Sequence, residues 1–252
     1  MKKYLPKIIS ALIFILILVV WQILAGNPQV SFLFSSPIAM LMKLFQGTIS
    51  GVLPYNFLIT GIEAITGFVI GIVGGTAVGF LLWYSPFLAK VSKPYIMFLG
   101  AVPVFAFAPM IIIWFGIGIS MKIALAAFAV FLVSLSQAYA GAQSVDEAEY
   151  KLLKTYGATR FQMFQKVIFP ASLSWVLASM RLSIGLAILG AFVGEFISSD
   201  VGIGHIMVTA GSLYDIPGVL AGGLYLVFLS ALLGFVVYAV EKNQMKIIDW
   251  LS

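Results

Sequence analysis

The chain has 252 residues, of which 62% are hydrophobic and 9% charged. Average soluble domains carry about 25% charged residues, so too few polar side chains exist here to cover a water-facing surface. The same composition excludes a disordered chain, and long uninterrupted apolar runs exclude a membrane β-barrel, whose strands alternate over about ten residues. With a mean hydropathy of +1.11, what remains is an all-α integral membrane protein. The absence of cysteine excludes disulfides and thiolate catalysis.

Charge-poor runs predict about six transmembrane helices: 8–25, 57–82, 94–115, 121–140, 174–194 and 217–240. The first run follows Met1-Lys2-Lys3. Its apolar stretch exceeds the roughly 7–15 residues of a signal peptide and no clean small-x-small site follows, so it is expected to stay as a helix. Segment 26–56 carries Phe34-Ser35-Ser36-Pro37 and then an amphipathic stretch from Ile38 to Phe45. In the second span, Gly67, Gly71, Gly75 and Gly79 recur every four residues, which aligns small residues for close helix packing or for the border of a solute path. Glu63 lies near the start of that span. In the third, Pro103 and Pro109 each delete a backbone hydrogen bond, predicting a bend that widens a pore or acts as a hinge. Met97, Phe98, Phe105 and Phe107 around it read as packing.

Ionisable residues inside spans are costly and therefore informative. Arg181 of the fifth span reads either as a pore-lining cation or as a structural group, paired with Glu63 or snorkelling toward headgroups. Glu195, at the outer end of the same span, is either a gate or simply solvated. His205 is the only histidine, so no histidine-rich metal site is expected; it is assigned to an external loop without a chemical role.

Placement of the basic residues sets the orientation. With the N-terminus inside, the cytoplasmic side holds Lys2, Lys3, Lys7, Lys90, Lys93, Lys151, Lys154, Arg160, Lys166, Lys242 and Lys246; Lys43 and Lys122 fall outside. Both termini are then cytoplasmic, segment 26–56 is external, and the net charge of +5 is a topology signal rather than a nucleic-acid patch.

The one long polar stretch, 141–171, lies between the fourth and fifth spans. It opens acidic (Asp146, Glu147, Glu149) and turns basic (Lys151, Lys154, Arg160, Lys166), which suits the dipole of a helix running through it. Leu153, Phe161, Phe164 and Ile168 fall on one helical face, beside Leu152 and Tyr156. Gly157 predicts a turn between two short helices, and Pro170 marks the beginning of the fifth span. Such a segment either lies on the headgroups or docks a soluble partner.

The run Tyr156-Gly157-Ala158-Thr159-Arg160-Phe161, with Pro170 thirteen residues after the glycine, resembles the "EAA" cytoplasmic loop of binding-protein-dependent ABC importer permeases. Val102-Pro103, Ala106, Ala108-Pro109 and Trp114-Phe115-Gly116-Ile117-Gly118 resemble the corresponding run of the nitrate/sulfonate/taurine subfamily. So do the glycine-rich second span, Arg181, Gly194-Glu195-Phe196-Ile197 and Gly202-Ile203-Gly204. The resemblance covers roughly residues 55–240.

It implies a type I ABC importer (MetI-like) fold in the plasma (inner) membrane. Residues 1–56 would form an N-terminal helix and an external segment, and residues 57–245 the permease core. It further implies pairing with a second copy, two cytoplasmic ATPase subunits docked on the 141–171 loop, and an extracytoplasmic binding protein. Segment 34–45 would lie flat on the outer leaflet. ATP and Mg would belong to the ATPase; this chain contains no Gly-x-x-x-x-Gly-Lys-[Ser/Thr] phosphate loop and is expected to bind no cofactor. Glu147, Glu149, Lys151, Tyr156, Gly157, Ala158, Arg160, Phe161 and Pro170 would form the coupling loop, and Glu63, Pro103, Pro109, Arg181 and Glu195 would border the translocation path.

Two departures stand out. The Glu-Ala-Ala that names the loop is replaced by Lys151-Leu152-Leu153, reversing the charge, and Glu147 and Glu149 are candidates to replace the lost acid. The subfamily implies nitrate, sulfonates or taurine as the solute, and related systems carry pyrimidine vitamin precursors; Glu63 and Gly100 occupy sites that are often arginine in the sulfonate-type subfamily, which makes a strongly anionic solute less expected. A stand-alone secondary transporter would show paired halves with related broken helices, and no such repeat is visible. A lipid-modifying enzyme would need clustered acids or histidines at span ends, and the only acidic cluster lies in the loop.

Overall fold

The computed structural model describes the backbone of residues 5–101 and 103–251, and the side chains of these apart from Ala101, Glu147 and 243–251. Lys2, Lys3 and Val102, and the side chains of Glu147 and Lys246, therefore lie outside the described residues. Among the described residues there is no strand. The helices are α1 (Leu5–Leu24), α2 (Pro28–Phe34), α3 (Pro37–Ile49), α4 (Val52–Tyr84), α5 (Pro86–Ala101), α6 (Ala108–Phe115), α7 (Ile119–Gln143), α8 (Glu147–Thr155), α9 (Arg160–Met163), α10 (Phe169–Ile197), α11 (Ile203–Ser212) and α12 (Ile216–Leu251). Five unbroken helical stretches are long and apolar enough to cross a membrane, with two further bent pairs.

The core is a layer of α4, α7 and α10, and glycine sets its spacing. A Cβ built on Gly67 would sit 2.4 Å from Ala126 Cβ, on Gly71 2.6 Å from Val130 Cβ, and on Gly79 2.7 Å from the Leu135 carbonyl oxygen. From α10, a Cβ built on Gly190 would sit 2.5 Å from Ala126 Cα. Lipid is as apolar as leucine, so helices in a bilayer associate through such dense contacts rather than by burying hydrophobic area. The glycine stripe of the second span is thus a packing face. At about 1.5 Å per residue, the 33-residue α4 is about 50 Å long and overruns a hydrocarbon core of about 30 Å.

The expected third span is not one bent helix. α5 begins at Pro86, eight residues before the expected start at 94, and ends at Ala101. A 3₁₀ turn follows at Val104–Phe107, and α6 restarts with Pro109 in its first turn. The two helical halves meet at 94°. Pro103 cannot donate to the ladder, whereas Pro109 sits where a helix needs no donor. One proline therefore accompanies the break and the other opens the next helix.

α1 buries none of its residues. Asn27 and Ser36 cap α2 and α3 through their side-chain oxygens, each followed by a proline at the first helical turn. α3 is the amphipathic element expected near Ile38–Phe45. It is tied to the α11–α12 corner by the Lys43–Asp215 ion pair at 2.7 Å and by Thr48 with Tyr225 at 2.8 Å. His205 lies within helix α11, not in a loop.

Candidate functional site: a polar lock and a helix-turn-helix at opposite ends of α4

Asn56, Thr60 and Glu63 follow an i, i+4, i+7 spacing and occupy one face of α4, all buried. That face meets the start of α11, whose first N–H groups lack partners within their own helix. Gly202 N–H donates to Asn56 Oδ1 at 2.5 Å, Ile203 N–H to Thr60 Oγ1 at 2.9 Å, and Gly204 N–H to Glu195 Oε2 at 2.6 Å. The Thr60 hydroxyl in turn donates to Glu195 Oε1 at 2.6 Å. A carboxylate at a helix N-terminus also meets the positive end of the helix dipole. Glu195 is 1% exposed, so it is a buried cap joining α4, α10 and α11 and not a solvated group. Only glycine fits at 202: φ is 109°, and a Cβ would stand 2.0 Å from Glu195 Oε1.

Glu63 Oε1 accepts from Lys122 Nζ at 2.8 Å, and both side chains are almost fully buried. Arg181 does not reach Glu63; its guanidinium pairs with Glu241 of α12. Lys122, expected outside the membrane, is a buried residue in the first turn of α7, and its Cγ would lie 2.9 Å from a Cβ on Gly194. Sequence reasoning missed Asn56, Thr60, Lys122 and Glu241. The first two were visible as polar residues in helical register with Glu63. Lys122 was visible as a lone cation between two uncharged runs.

At the other end of α4, segment 146–168 is a helix-turn-helix. Asp146 caps α8 by accepting the Ala148 N–H at 2.9 Å. Gly157, at φ 77°, ends it in a Schellman motif, with Ala158 N–H to Leu153 O at 3.0 Å and Gly157 N–H to Lys154 O at 3.1 Å. Thr159 and Gln162 form a capping box on α9. The helix then runs unbroken from Arg160 to Ile197 through a π-helical turn at Phe164–Ile168. The fifth span thus starts ten residues before Pro170, which sits exposed in the first turn of α10. The expected single apolar face is divided. Ile168 is buried, Leu153 and Phe164 are half-buried, and Phe161 is 64% exposed. The turn at Gly157 resets the helical phase, so a period counted across it does not hold. Leu152, Tyr156 and Phe161 face outward, with Glu149, Lys151 and Arg160 also exposed and Ala158 half-covered.

Between α4, α5, α6 and α7 lies a groove of about 880 Å³, lined by Phe107, Trp114, Phe115, Phe128 and Phe131 among others, with Thr66 and Ser120 as its polar side chains. No charged residue lines it. Among the described residues, no group of three or more acids or histidines is placed to hold a metal ion.

Several helices long and apolar enough to span a membrane, with a capped helix-turn-helix leading into one of them, define a multi-span membrane protein. Residues 67–246 match the family model of the binding-protein-dependent transport system inner membrane component, and the chain belongs to that family. It is 28% identical over 253 residues to the formylaminopyrimidine transport permease protein of Halalkalibacterium halodurans, covering 99% of this chain and 98% of the relative. It is also 28% identical over 231 residues to the putative aliphatic sulfonates transport permease protein of Bacillus subtilis, covering 91% and 84%. Its fold matches a subunit of the MetNI methionine ABC transporter in inward-facing conformations, with a TM-score of 0.69 at 16% identity, covering 78% of this chain and 97% of that one. The chain is therefore the membrane permease of an ABC importer, with a MetI-like fold, and ATP hydrolysis falls to a partner subunit.

Proposed function

We propose that both termini are cytoplasmic, that residues 57–245 form the translocating core of a homodimer, and that residues 1–56 are an accessory helix and external segment. Two ATPase subunits dock on loop 141–171 and a binding protein on the opposite face. The observation that carries this reading is the exposure of Leu152, Tyr156 and Phe161 on a short polar helix-turn-helix where the chain enters the long helix Arg160–Ile197. Glu149, Lys151, Ala158 and Arg160 border that apolar patch, Gly157 makes the turn within it, Glu147 opens α8, and Pro170 lies beyond it in the first turn of α10. Lys151 stands where the family motif has an acid, so the ATPase of this system is expected to present an acid or a neutral group there.

Phe161→Asp tests the docking. The side chain is exposed, so the bundle should fold unchanged, yet copurification of the ATPase should fall by about tenfold or more, as for a buried aromatic anchor at an interface. Undiminished copurification overturns the docking surface, and solute uptake by the chain alone in liposomes overturns the importer reading.

For the solute we propose a small planar heterocycle of the formylaminopyrimidine class. Lys122 and Arg181, two cations within the helical bundle, are each engaged by a carboxylate, and the groove between α4, α5, α6 and α7 is aromatic and uncharged. On this reading the path runs past the break at Pro103 and Pro109, and Glu63, Glu195 and Arg181 hold its walls rather than contact solute. Thermal-shift screening of the partner binding protein should return a pyrimidine as the tightest ligand; a sulfonate or taurine in that place refutes it.

A further inference from the structure

The cytoplasmic end of α4 carries Phe80, Trp83 and Tyr84, one helical turn of aromatic rings. Arg160, the first residue of α9, lies with Cζ 5.1 Å from the Tyr84 ring centroid and 5.9 Å from that of Trp83. Both distances are within cation–π range. One turn later Phe164 stands edge-on to Phe80 at 5.3 Å and tilted against Trp83 at 5.8 Å, and Phe169 meets Phe80 at 5.9 Å.

The π-helical turn explains how two residues five apart reach the same ring. In a regular α-helix positions i and i+5 point about 140° apart. The wider turn at Phe164–Ile168, closed by Phe169 N–H donating to Phe164 O, brings them onto one side. Phe164 and Phe169 then lie 6.2 Å apart. The segment that leaves the Gly157 turn is thus gripped over two turns by the last turn of α4. From there α4 runs without a break, pressed on α7 along its glycines, to Asn56, Thr60 and Glu63 at the α11 lock.

We propose that this clamp is the joint through which the cytoplasmic segment moves α4, which makes Trp83 and Phe80 positioning residues for coupling ATP hydrolysis to transport. The proposal rests on the reading that segment 146–166 receives the ATPase. An aromatic joint suits such a task because ring pairs resist sliding through their edge-to-face geometry while burying no unpaired polar atom. Neither residue is in the docking patch, and Arg160, which borders it, keeps the nearer Tyr84 ring when Trp83 is removed, so their loss should spare docking and act on the stroke.

The importer reconstituted in liposomes with its own ATPase and binding protein provides the test, with Trp83→Ala, Trp83→Phe and Phe80→Leu compared with the parent. Three quantities are read: ATPase copurification, ATP hydrolysis and solute imported per ATP. With Trp83→Ala, copurification and hydrolysis should stay within about twofold, while solute per ATP falls about tenfold, and Trp83→Phe should recover at least about half of the ratio. Phe80→Leu should lower the ratio in the same sense, and it decides the matter if Trp83→Ala fails to fold. A ratio unchanged in both Trp83→Ala and Phe80→Leu overturns the clamp, as does loss of ATPase binding in step with loss of transport. Failure of the parent chain to copurify the ATPase refutes the docking reading itself, and the clamp falls with it.

Discussion

Lys122→Met is expected to destabilise the bundle by about 3–5 kcal/mol, because removing one partner of a buried ion pair strands the other. The Lys122 ammonium is 2.8 Å from Glu63 Oε1, with side-chain exposures of 4% and 1%. Glu63 Oε2 has no hydrogen-bond partner in the protein, so Lys122 is the one cation bonded to this carboxyl group. In a chain of this size the loss corresponds to a fall in melting temperature of about 6–20 °C. Detergent-solubilised protein followed by size exclusion against temperature reads it directly. The double variant Glu63→Leu, Lys122→Met should recover most of the loss, since apolar replacement of a whole buried pair is often neutral. Arg181→Ala should cost much less: its side chain is 58% exposed, and solvent screens the partnership with Glu241. If Lys122→Met melts with the parent, or if Arg181→Ala costs more, the assignment of the buried pair is wrong.

Gly75→Val is expected to prevent the α4–α7 contact from closing. A Cβ at 75 would lie 2.4 Å from the Phe131 carbonyl oxygen, 2.8 Å from Ser134 Cβ and 2.9 Å from the Leu135 nitrogen. Two of those atoms are backbone and cannot rotate away, so the helices must separate, at a cost above the roughly 1–3 kcal/mol of ordinary overpacking. Fluorescence-detected size exclusion should show little monodisperse protein. Two controls isolate the cause. Gly74→Ala points at the Phe131 ring at an ordinary 3.5 Å, and Gly185→Ala meets nothing within 4 Å. Both should fold normally, and alanine in a helix interior favours the helix by up to about 1 kcal/mol over glycine. A Gly185→Ala variant as poorly folded as Gly75→Val would show that helix glycines matter here for some reason other than contact distance.

The helix-turn-helix at 146–168 was legible because its signals are local. Asp146, Gly157, Thr159 and Gln162 cap helices through hydrogen bonds to residues within a few positions of themselves, and such bonds need no knowledge of the remaining fold. The glycine repeat was legible as a small-residue face, although its partner helix was not. The break at Pro103 was half legible: two prolines announced a disturbance, but a single span was still drawn through it. The π-helical turn left no sign, because nothing in Phe164–Ile168 is unusual until α4 presents Phe80 to it.

The sequence by itself determined that this is a multi-span helical membrane protein, roughly where five of its spans run, that two helices meet at a turn at Gly157, and to which transporter family its motifs point. These follow from composition, charge-free length and short-range spacing, all properties of neighbouring residues. Tertiary structure alone decided which charges meet. Glu63 had two cations within the spans' reach, and Glu195 had solvent as an alternative; helix rotation, at about 100° per residue, chose Lys122 for the first and the α11 N-terminus for the second. The partners are 59 residues apart in one pair and 60 in the other, Arg181–Glu241. At such separations no local pattern carries the choice, and it is made only when glycine-spaced helices close to within van der Waals contact and fix which groups face one another.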